Sequence, residues 1–188
     1  HPWVSRGGIK LAHALEKIAG DRARFQYVQI GDLPLYDQDF DGQYPPQGTR
    51  LKDQVRAADA VLFVTPEYNR SVPGVLKNAI DWASRPAFKS PLKDKPVTFI
   101  TQANSPVGGA RAQAHLKLVF DSTLSRIHMC HEMMIAGVEQ KFDEHLRLVD
   151  ESSRARIKRH LADFIAFIGL FHRISNTSTS PHRTVTAA

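Results

Sequence analysis

The sequence predicts an α/β protein with a parallel sheet, and two observations support that fold class. Strand-like and helix-like segments alternate along most of the chain, as in proteins whose parallel strands are joined by helices. Residues 60–64 read Ala-Val-Leu-Phe-Val, a wholly apolar run that is typical of a strand buried on both faces. A strand with one face in water would instead alternate polar and apolar residues.

The first elements follow from the spacing of apolar residues. Leu11, Leu15 and Ile18 share one stripe of a helix that Gly20 ends. Residues 25–30 alternate between polar and apolar side chains and therefore predict a strand.

The middle of the chain continues the pattern. Residues 31–48 are rich in aspartate and proline and predict a long loop. Thr49 is a favourable N-cap, so we expect a helix to begin there. After the strand at 60–64, we predict a polar loop over 65–73 and a helix over 74–84.

The last elements complete a single domain. We predict a strand over 97–100, a helix over 109–124, a last strand over 129–138 and a helix over 152–171. The whole chain has 188 residues, which suits one domain with one sizeable core. We assign residues 1–172 to this domain, and 173–188, rich in Ser and Thr and without acidic residues, to a flexible tail.

The composition of the chain limits the classes of function that it can have. Lys and Arg number 25 against 19 Asp and Glu, a formal net charge of +6. The basic residues are dispersed and no recognition motif is present, so we expect no nucleic-acid partner, although a basic binding module stays an alternative. No apolar run approaches the roughly 20 residues that span a bilayer, so no membrane insertion is expected. Cys130 is the single cysteine, which excludes an intrachain disulfide and favours the cytoplasm.

Two loops are the candidate ligand site, because ligands bind beyond the carboxyl ends of parallel strands. Residues 65–74 combine a carboxylate, an aromatic ring and an amide with two stiffening prolines. Residues 101–111 contain the pair Gly108-Gly109, which would let the backbone approach a flat ligand. Two such loops suit an anionic, planar cofactor, although the same residue types also form plain connectors.

The first loop resembles a known signature. Thr65-Pro66-Glu67-Tyr68-Asn69 and the run from Ser71 to Trp82 resemble the NADPH-dependent FMN reductase family, which includes chromate and quinone reductases and related azoreductases. The resemblance continues in Gly108–Arg111 and Leu33–Asp37 and covers about residues 11–171. It implies a flavodoxin-like three-layer sandwich that binds FMN without a covalent bond.

The resemblance also implies a function. Family members pass electrons from NAD(P)H through FMN to a small acceptor, and quinone, chromate, azo compound and free flavin all stay open here. A homodimer or homotetramer is implied, with the helix that ends at Trp82 and Arg85 near the subunit contact. The alternative is a flavodoxin-like protein that has lost flavin binding and acts as a non-catalytic partner or fragment.

The flavin contacts implied by the resemblance fall into two groups. One run would contact the flavin, largely through backbone amides and the Asn69 side chain: Pro66, Glu67, Tyr68 and Asn69. The other edge of the ring would be flanked by a second group: Gln102, Ala103, Gly108 and Gly109. No side chain is implied as an acid, base or nucleophile, and for Glu67 we expect a structural role or a subunit contact.

The chain departs from the family at its start. The family begins with an apolar strand and a loop that holds the FMN phosphate, whereas only Ser5 and Arg6 of residues 1–10 resemble that loop. We therefore expect the first strand to be missing or replaced, with a gap between the strands at 25–30 and 60–64. We also expect the native protein to have more residues upstream, and FMN binding to weaken without them.

A cluster of metal-ligand residue types is also present. His128, Cys130 and His131 are close in sequence, but on a strand the first two face one side and the third faces the other. We find no further ligand at a suitable spacing, so no metal site is expected.

Overall fold

The computed structural model describes residues 6–176. In this part of the chain, five α-helices and four strands are formed. In chain order they are α1 (Arg6–Ala19), α2 (Pro46–Ala57), β1 (Val61–Pro66), α3 (Gly74–Ala83), β2 (Pro96–Ala103), α4 (Ala110–Ser122), β3 (Arg126–Ile127), β4 (Met133–Ala136) and α5 (Glu151–Asn176).

The sheet is centred on β2, and every strand that pairs with it runs parallel to it. β1 lies along one edge of β2 and ends with Pro66 beside Gln102. β3 and β4 follow one another along the opposite edge, so they form two pieces of one interrupted strand. The predicted parallel sheet is confirmed, although the last strand is shorter than the expected 129–138.

Helices cover both faces of this sheet. α1 and α5 pack on one face, where Leu15 and Leu161 are buried. α2, α3 and α4 pack on the other face, where Trp82 and Phe120 are buried. β2 contributes to both cores, because alternate side chains of a strand point to opposite faces. The expected flavodoxin-like three-layer sandwich is confirmed.

The strand predicted at 25–30 is not formed, and this corrects the sequence-based expectation. Its side chains still alternate: Phe25 packs against the core of α1 and α5, and Val28 and Ile30 pack against the opposite core. A strand also requires a hydrogen-bonded neighbour, and within residues 6–176 no strand pairs with this segment.

The lack of a further paired strand within the described residues also affects β1. Its residues Val61 to Val64 are only partly buried, although their apolar character predicted burial on both faces. Within the described chain β1 is an edge of the sheet, so one side of it is less covered. The apolar run predicts the strand correctly but cannot show whether another strand lies beside it.

Two helix ends also differ from expectation. α2 begins at Pro46 and not at Thr49, because the fixed φ of proline suits the first helical position and its missing N–H costs nothing there. α5 continues to Asn176, so the first residues assigned to the tail are helical. The rest of the predicted tail, 177–188, lies outside the described residues.

A buried lysine on α2 gives a pH-dependent stability. Lys52 is 4% exposed, and its Nζ lies 3.1 Å from the centroid of the Tyr44 ring. Burial lowers the pKa of Lys52 from 10.5 to about 8, and the nearby positive charge of Arg56 adds to the shift. Between these two values the unfolded chain holds the proton more tightly than the folded chain, so the stability contribution of Lys52 rises with pH.

We therefore expect Lys52→Met to raise the free energy of unfolding at pH 7 by about 1–3 kcal/mol, since it removes a buried charge without a hydrogen-bond partner among the described residues. The gain should shrink as pH rises from 8 to 10.5. Urea unfolding of both proteins at pH 7 and pH 10 measures this difference. A gain that is independent of pH would show that Lys52 keeps its ordinary pKa.

Candidate functional site

The candidate site lies where β1 and β2 end. Pro66 and Gln102 are neighbours in the ladder, and the Glu67 N–H donates to the Gln102 carbonyl at 3.2 Å. The segments that follow, 67–73 and 103–109, therefore leave the same edge of the sheet side by side. This is the arrangement that the sequence predicted for the two loops.

The first loop contains a tight turn centred on Asn69 and Arg70. Tyr68 and Ser71 exchange two backbone hydrogen bonds, both of 2.9 Å. Asn69 and Arg70 have φ angles of 48° and 63°, the left-handed conformation of the two central residues in a type I′ turn. Asparagine tolerates this conformation better than most residues.

Contacts outside the turn hold it in place. Ser71 Oγ lies 2.8 Å from His115 Nδ1 on α4. The tip of the turn remains exposed, including 52% of Tyr68. The loop therefore presents the Tyr68 ring and the amides of Asn69 and Arg70 to solvent on a fixed support.

The Glu67 carboxylate serves the helix behind the turn. Its Oε2 accepts from the backbone N–H groups of Arg111 and Ala112, at 3.0 and 3.4 Å. Its Oε1 lies 3.4 Å from the Arg111 guanidinium. A carboxylate at a helix N-terminus satisfies free N–H groups and complements the helix dipole, and the N-cap residue Gly109 has no side chain to do so. This geometry supports the structural role expected for Glu67.

We expect Glu67→Ala to lower the free energy of unfolding by about 0.5–2 kcal/mol, because α4 loses its N-terminal acceptor. Glu67→Gln keeps an acceptor oxygen without the charge, so it should retain part of that stability. Urea unfolding at neutral pH compares the two variants. Equal stability of Glu67→Ala and the unchanged protein would show that this contact does not hold α4.

The second loop is packed tightly against the sheet. Gln102 is only 1% exposed, Ala103 is partly buried and residues 104–107 are exposed. Gly108 and Gly109 are buried and have φ angles of 62° and 90°. The loop thus presents the exposed residues 104–107 beside the exposed turn of the first loop.

The two glycines make room for the protein's own strands. A Cβ on Gly109 would stand 2.9 Å from Thr101 Cβ, and a Cβ on Gly108 would stand 3.1 Å from Ala136 N. From the sequence we expected these glycines to give room for a flat ligand. Their close contacts are instead with β2 and β4, which sets the path of the loop.

The N-terminal candidates are only partly described. Arg6 is the first residue of α1, and Ser5 lies outside the described residues. Ser5 and Arg6 therefore stay predictions for phosphate binding.

Several supporting residues were not found from the sequence. Thr101 Oγ1 lies 3.3 Å from the Gly108 carbonyl and 3.2 Å from Gln113 Oε1, and both side chains are buried. Gln113 lies one residue after the buried Ala112 and three before the buried Leu116, so the helical spacing could have indicated that it faces inward. No sequence pattern links His115 to Ser71, because they meet only through the packing of α4.

The second half of the signature, from Ser71 to Trp82, connects α3 to the segment 33–37. Asn78 Oδ1 accepts from the Tyr36 N–H at 2.8 Å, and Asn78 Nδ2 donates to the Pro34 carbonyl at 2.9 Å. The Trp82 indole N–H donates to the same carbonyl at 2.8 Å. The run from Ser71 to Trp82 and the run Leu33–Asp37 are thus in direct contact. Trp82 is fully buried and belongs to the core.

A separate cleft of about 220 Å³ lies between α3 and α4. Its lining includes Arg85, Phe88 and Leu124, but no residue of 67–71 or 102–109. The candidate site is therefore distinct from this cleft, and its residues 68–70 and 104–107 are exposed at the end of the sheet. No helix in residues 6–176 combines the length and the apolar character needed to cross a bilayer.

Comparisons with known proteins agree with the resemblance. The sequence model of the NADPH-dependent FMN reductase family matches residues 5–140. The 2-hydroxy-1,4-benzoquinone reductase of a Burkholderia species is 40% identical over 159 residues, which are 85% of this chain and 87% of that protein. A quinone reductase of Pseudomonas putida is 48% identical over 147 residues, 76% of this chain and 77% of that protein.

A solved structure gives the same result. FerB, a flavoenzyme NAD(P)H:(acceptor) oxidoreductase from Paracoccus denitrificans, superposes with a TM-score of 0.80 at 36% identity, covering 86% of this chain and 89% of that one. Together these matches confirm the expected oxidoreductase class, with FMN as cofactor and NAD(P)H as electron donor. None of them supports the non-catalytic alternative.

Proposed function

Because this chain belongs to the NADPH-dependent FMN reductase family, we propose that its two loops hold FMN and that a small quinone receives the electrons. The quinone is favoured as acceptor because both relatives named above are quinone reductases. Chromate, an azo compound and free flavin are weaker candidates. When bound, FMN accepts a hydride from NAD(P)H and passes electrons on to the acceptor.

The geometry of the Tyr68–Ser71 turn carries the proposal. A flavin ring has carbonyl oxygens and ring nitrogens along one edge, which need N–H donors. The left-handed pair Asn69-Arg70 places its amides at an exposed tip, and the Asn69 side chain supplies a further amide. The turn is already ordered by its own hydrogen bonds and by His115, so less entropy is lost when a ligand binds.

The residues of the second loop complete the proposed cradle. Ala103 and the exposed residues 104–107 would lie along the other edge of the ring, supported from behind by Gly108 and Gly109. The buried Gln102 would act through its backbone and through the position it gives to Ala103. Pro66 and Glu67 would hold the turn, since the Glu67 side chain is bound to α4.

In this proposal the protein contributes to the chemistry by stabilising charge and by excluding solvent. If FMN binds here, the fixed N–H groups of Asn69 and Arg70 would stabilise negative charge on the flavin, and Tyr68 would shield one side of it from water. The net charge of +6 favours the approach of an anionic dinucleotide. We assign no acid, base or nucleophile, and we propose Ser5 and Arg6, the latter the first residue of α1, as the residues that bind the FMN phosphate.

The experiment is an FMN titration followed by reduction and reoxidation. We expect the purified protein to quench FMN fluorescence on binding, NADPH to bleach the yellow complex without oxygen, and benzoquinone to restore the colour faster than chromate or an azo dye. A protein that neither quenches FMN nor is bleached would contradict the proposal. Faster reoxidation by chromate would overturn the quinone assignment alone.

We further propose a homodimer or homotetramer in the cytoplasm. Phe88 is 75% exposed beside the cleft between α3 and α4, and Leu124 on the same cleft is also exposed. Such apolar side chains favour a subunit contact at this surface, next to Arg85. Light scattering of the purified protein measures the mass, and a monomer with Phe88→Glu but an oligomer without it would support this interface.

A further inference from the structure

Three residues outside the flavin site converge at the packing of α5 against the sheet. They are His128 and Cys130, between β3 and β4, and His160 in the middle of α5. Each offers one ligand atom, and these atoms all lie within 4.8 Å of one another. We expected no metal site because the sequence near Cys130 lacks a further ligand, and α5 supplies it from thirty residues away. His131 is exposed and is not part of the cluster.

The two imidazoles are oriented by one hydroxyl group on β2. Thr98 Oγ1 lies 3.0 Å from His160 Nε2 and 3.4 Å from His128 Nδ1. A threonine oxygen has two acceptor lone pairs, so it can accept one N–H from each ring. The opposite nitrogen of each ring is then free of a proton. Metal-binding histidines commonly donate their second N–H in this way, which fixes the ring and its tautomer.

His160 also faces the thiol directly. Its Nδ1 lies 3.6 Å from Cys130 Sγ, on the side of the ring away from Thr98. Both histidines are at least 90% buried, whereas Cys130 is exposed and leaves the cluster open to solvent.

We propose that His128, Cys130 and His160 bind a zinc ion, with water as the fourth ligand. Two imidazole nitrogens and one thiolate suit Zn²⁺, which is bound tetrahedrally by such ligands in proteins. Binding forms a Zn–S bond and releases the thiol proton to solvent. The ligand atoms must draw together to about 3.5 Å for this geometry, and the exposed turn that carries Cys130 can supply the movement.

The proposed ion stabilises the fold and takes no part in electron transfer. It joins α5 to the connection between β3 and β4, on the face of the sheet opposite α4. Thr98 precedes Gln102 by four residues on β2, which places the ion about 13 Å along the strand from the flavin end.

Cobalt substitution tests the site, because Cys130 is the single cysteine and a thiolate–Co²⁺ charge-transfer band can arise only there. We expect Co²⁺ to produce this band in a difference spectrum and Zn²⁺ to abolish it by displacement. His160→Gln and His128→Gln should each weaken Zn²⁺ binding more than tenfold, whereas the matched control His131→Gln should leave it unchanged. If one histidine variant fails to fold, the Zn²⁺ affinity of the other variant tests the proposal.

Thermal unfolding gives a second readout. Zn²⁺ at about 100 times its dissociation constant should raise the Tm by roughly 5 °C or more, and Cys130→Ser should remove this rise. Two results would overturn the proposal. One is metal binding that produces no thiolate band. The other is Zn²⁺ binding of equal strength in His128→Gln, His160→Gln and the control His131→Gln.

Discussion

Trp82→Ala is expected to lower the free energy of unfolding by about 3–5 kcal/mol, as when a large aromatic side chain is removed from a core. Trp82 is fully buried and contacts three aromatic rings edge-on or tilted, at centroid distances of 5.2 to 6.3 Å: Tyr36, Phe40 and Tyr44. α2 approaches it closely, because a Cβ on Gly48 would stand 3.1 Å from Trp82 Cε3. The cavity left by alanine would therefore border α2, α3 and the segment 33–44.

Trp82→Phe is the matched control. It keeps most of the ring volume but loses the N–H that donates to the Pro34 carbonyl. We expect it to cost about 1–3 kcal/mol, since the smaller ring leaves part of the core unfilled and the Pro34 carbonyl keeps only its hydrogen bond from Asn78. Urea unfolding measures both variants. A loss below about 1 kcal/mol for Trp82→Ala would show that this part of the signature does not hold the fold.

Gly109→Ala is expected to have the second large effect. The left-handed conformation at φ 90° costs an alanine about 1–2 kcal/mol, and its Cβ would stand 2.9 Å from Thr101 Cβ. Forcing a buried strand and loop apart typically costs a further 1–3 kcal/mol or so. The loop path changes with it, so we also expect FMN to bind at least about tenfold more weakly.

Gly42→Ala separates the cost of the left-handed conformation from the cost of the collision with Thr101. Gly42 also has a left-handed φ, 96°, but a Cβ there would meet nothing within 4 Å. It should therefore show the conformational cost without the collision and leave FMN affinity unchanged. Urea unfolding and FMN titration of both variants give the comparison. Equal destabilisation by the two substitutions would contradict the close approach of Gly109 to β2.

The elements that the sequence predicts best are those decided by their own residues. The apolar centre of β2 and the apolar stripe of α3 are formed as expected, because the spacing of apolar residues within each element predicts which side chains are buried. β2 extends further than predicted, through Thr101 and Gln102. These polar residues are buried at the end of the strand, and apolar spacing alone does not predict that.

Features that depend on distant residues were not predictable in this way. Residues 25–30 have the side-chain alternation of a strand, but a strand exists only when another strand pairs with it. Glu67 was placed in the signature by resemblance, yet its partners on α4 follow only from packing. His160 likewise meets Cys130 only because α5 crosses the sheet at that point.

The left-handed turn at Asn69 is the centre of the proposed flavin site, and one pair of variants tests it directly. Asn69→Val disfavours the left-handed conformation and moves the amides, whereas Asn69→Gly keeps the backbone and removes only the side chain. The measurement is the FMN dissociation constant by fluorescence quenching. We expect about a tenfold loss of affinity for Asn69→Val and less than about threefold for Asn69→Gly. Unchanged affinity in Asn69→Val would show that FMN does not bind at this turn.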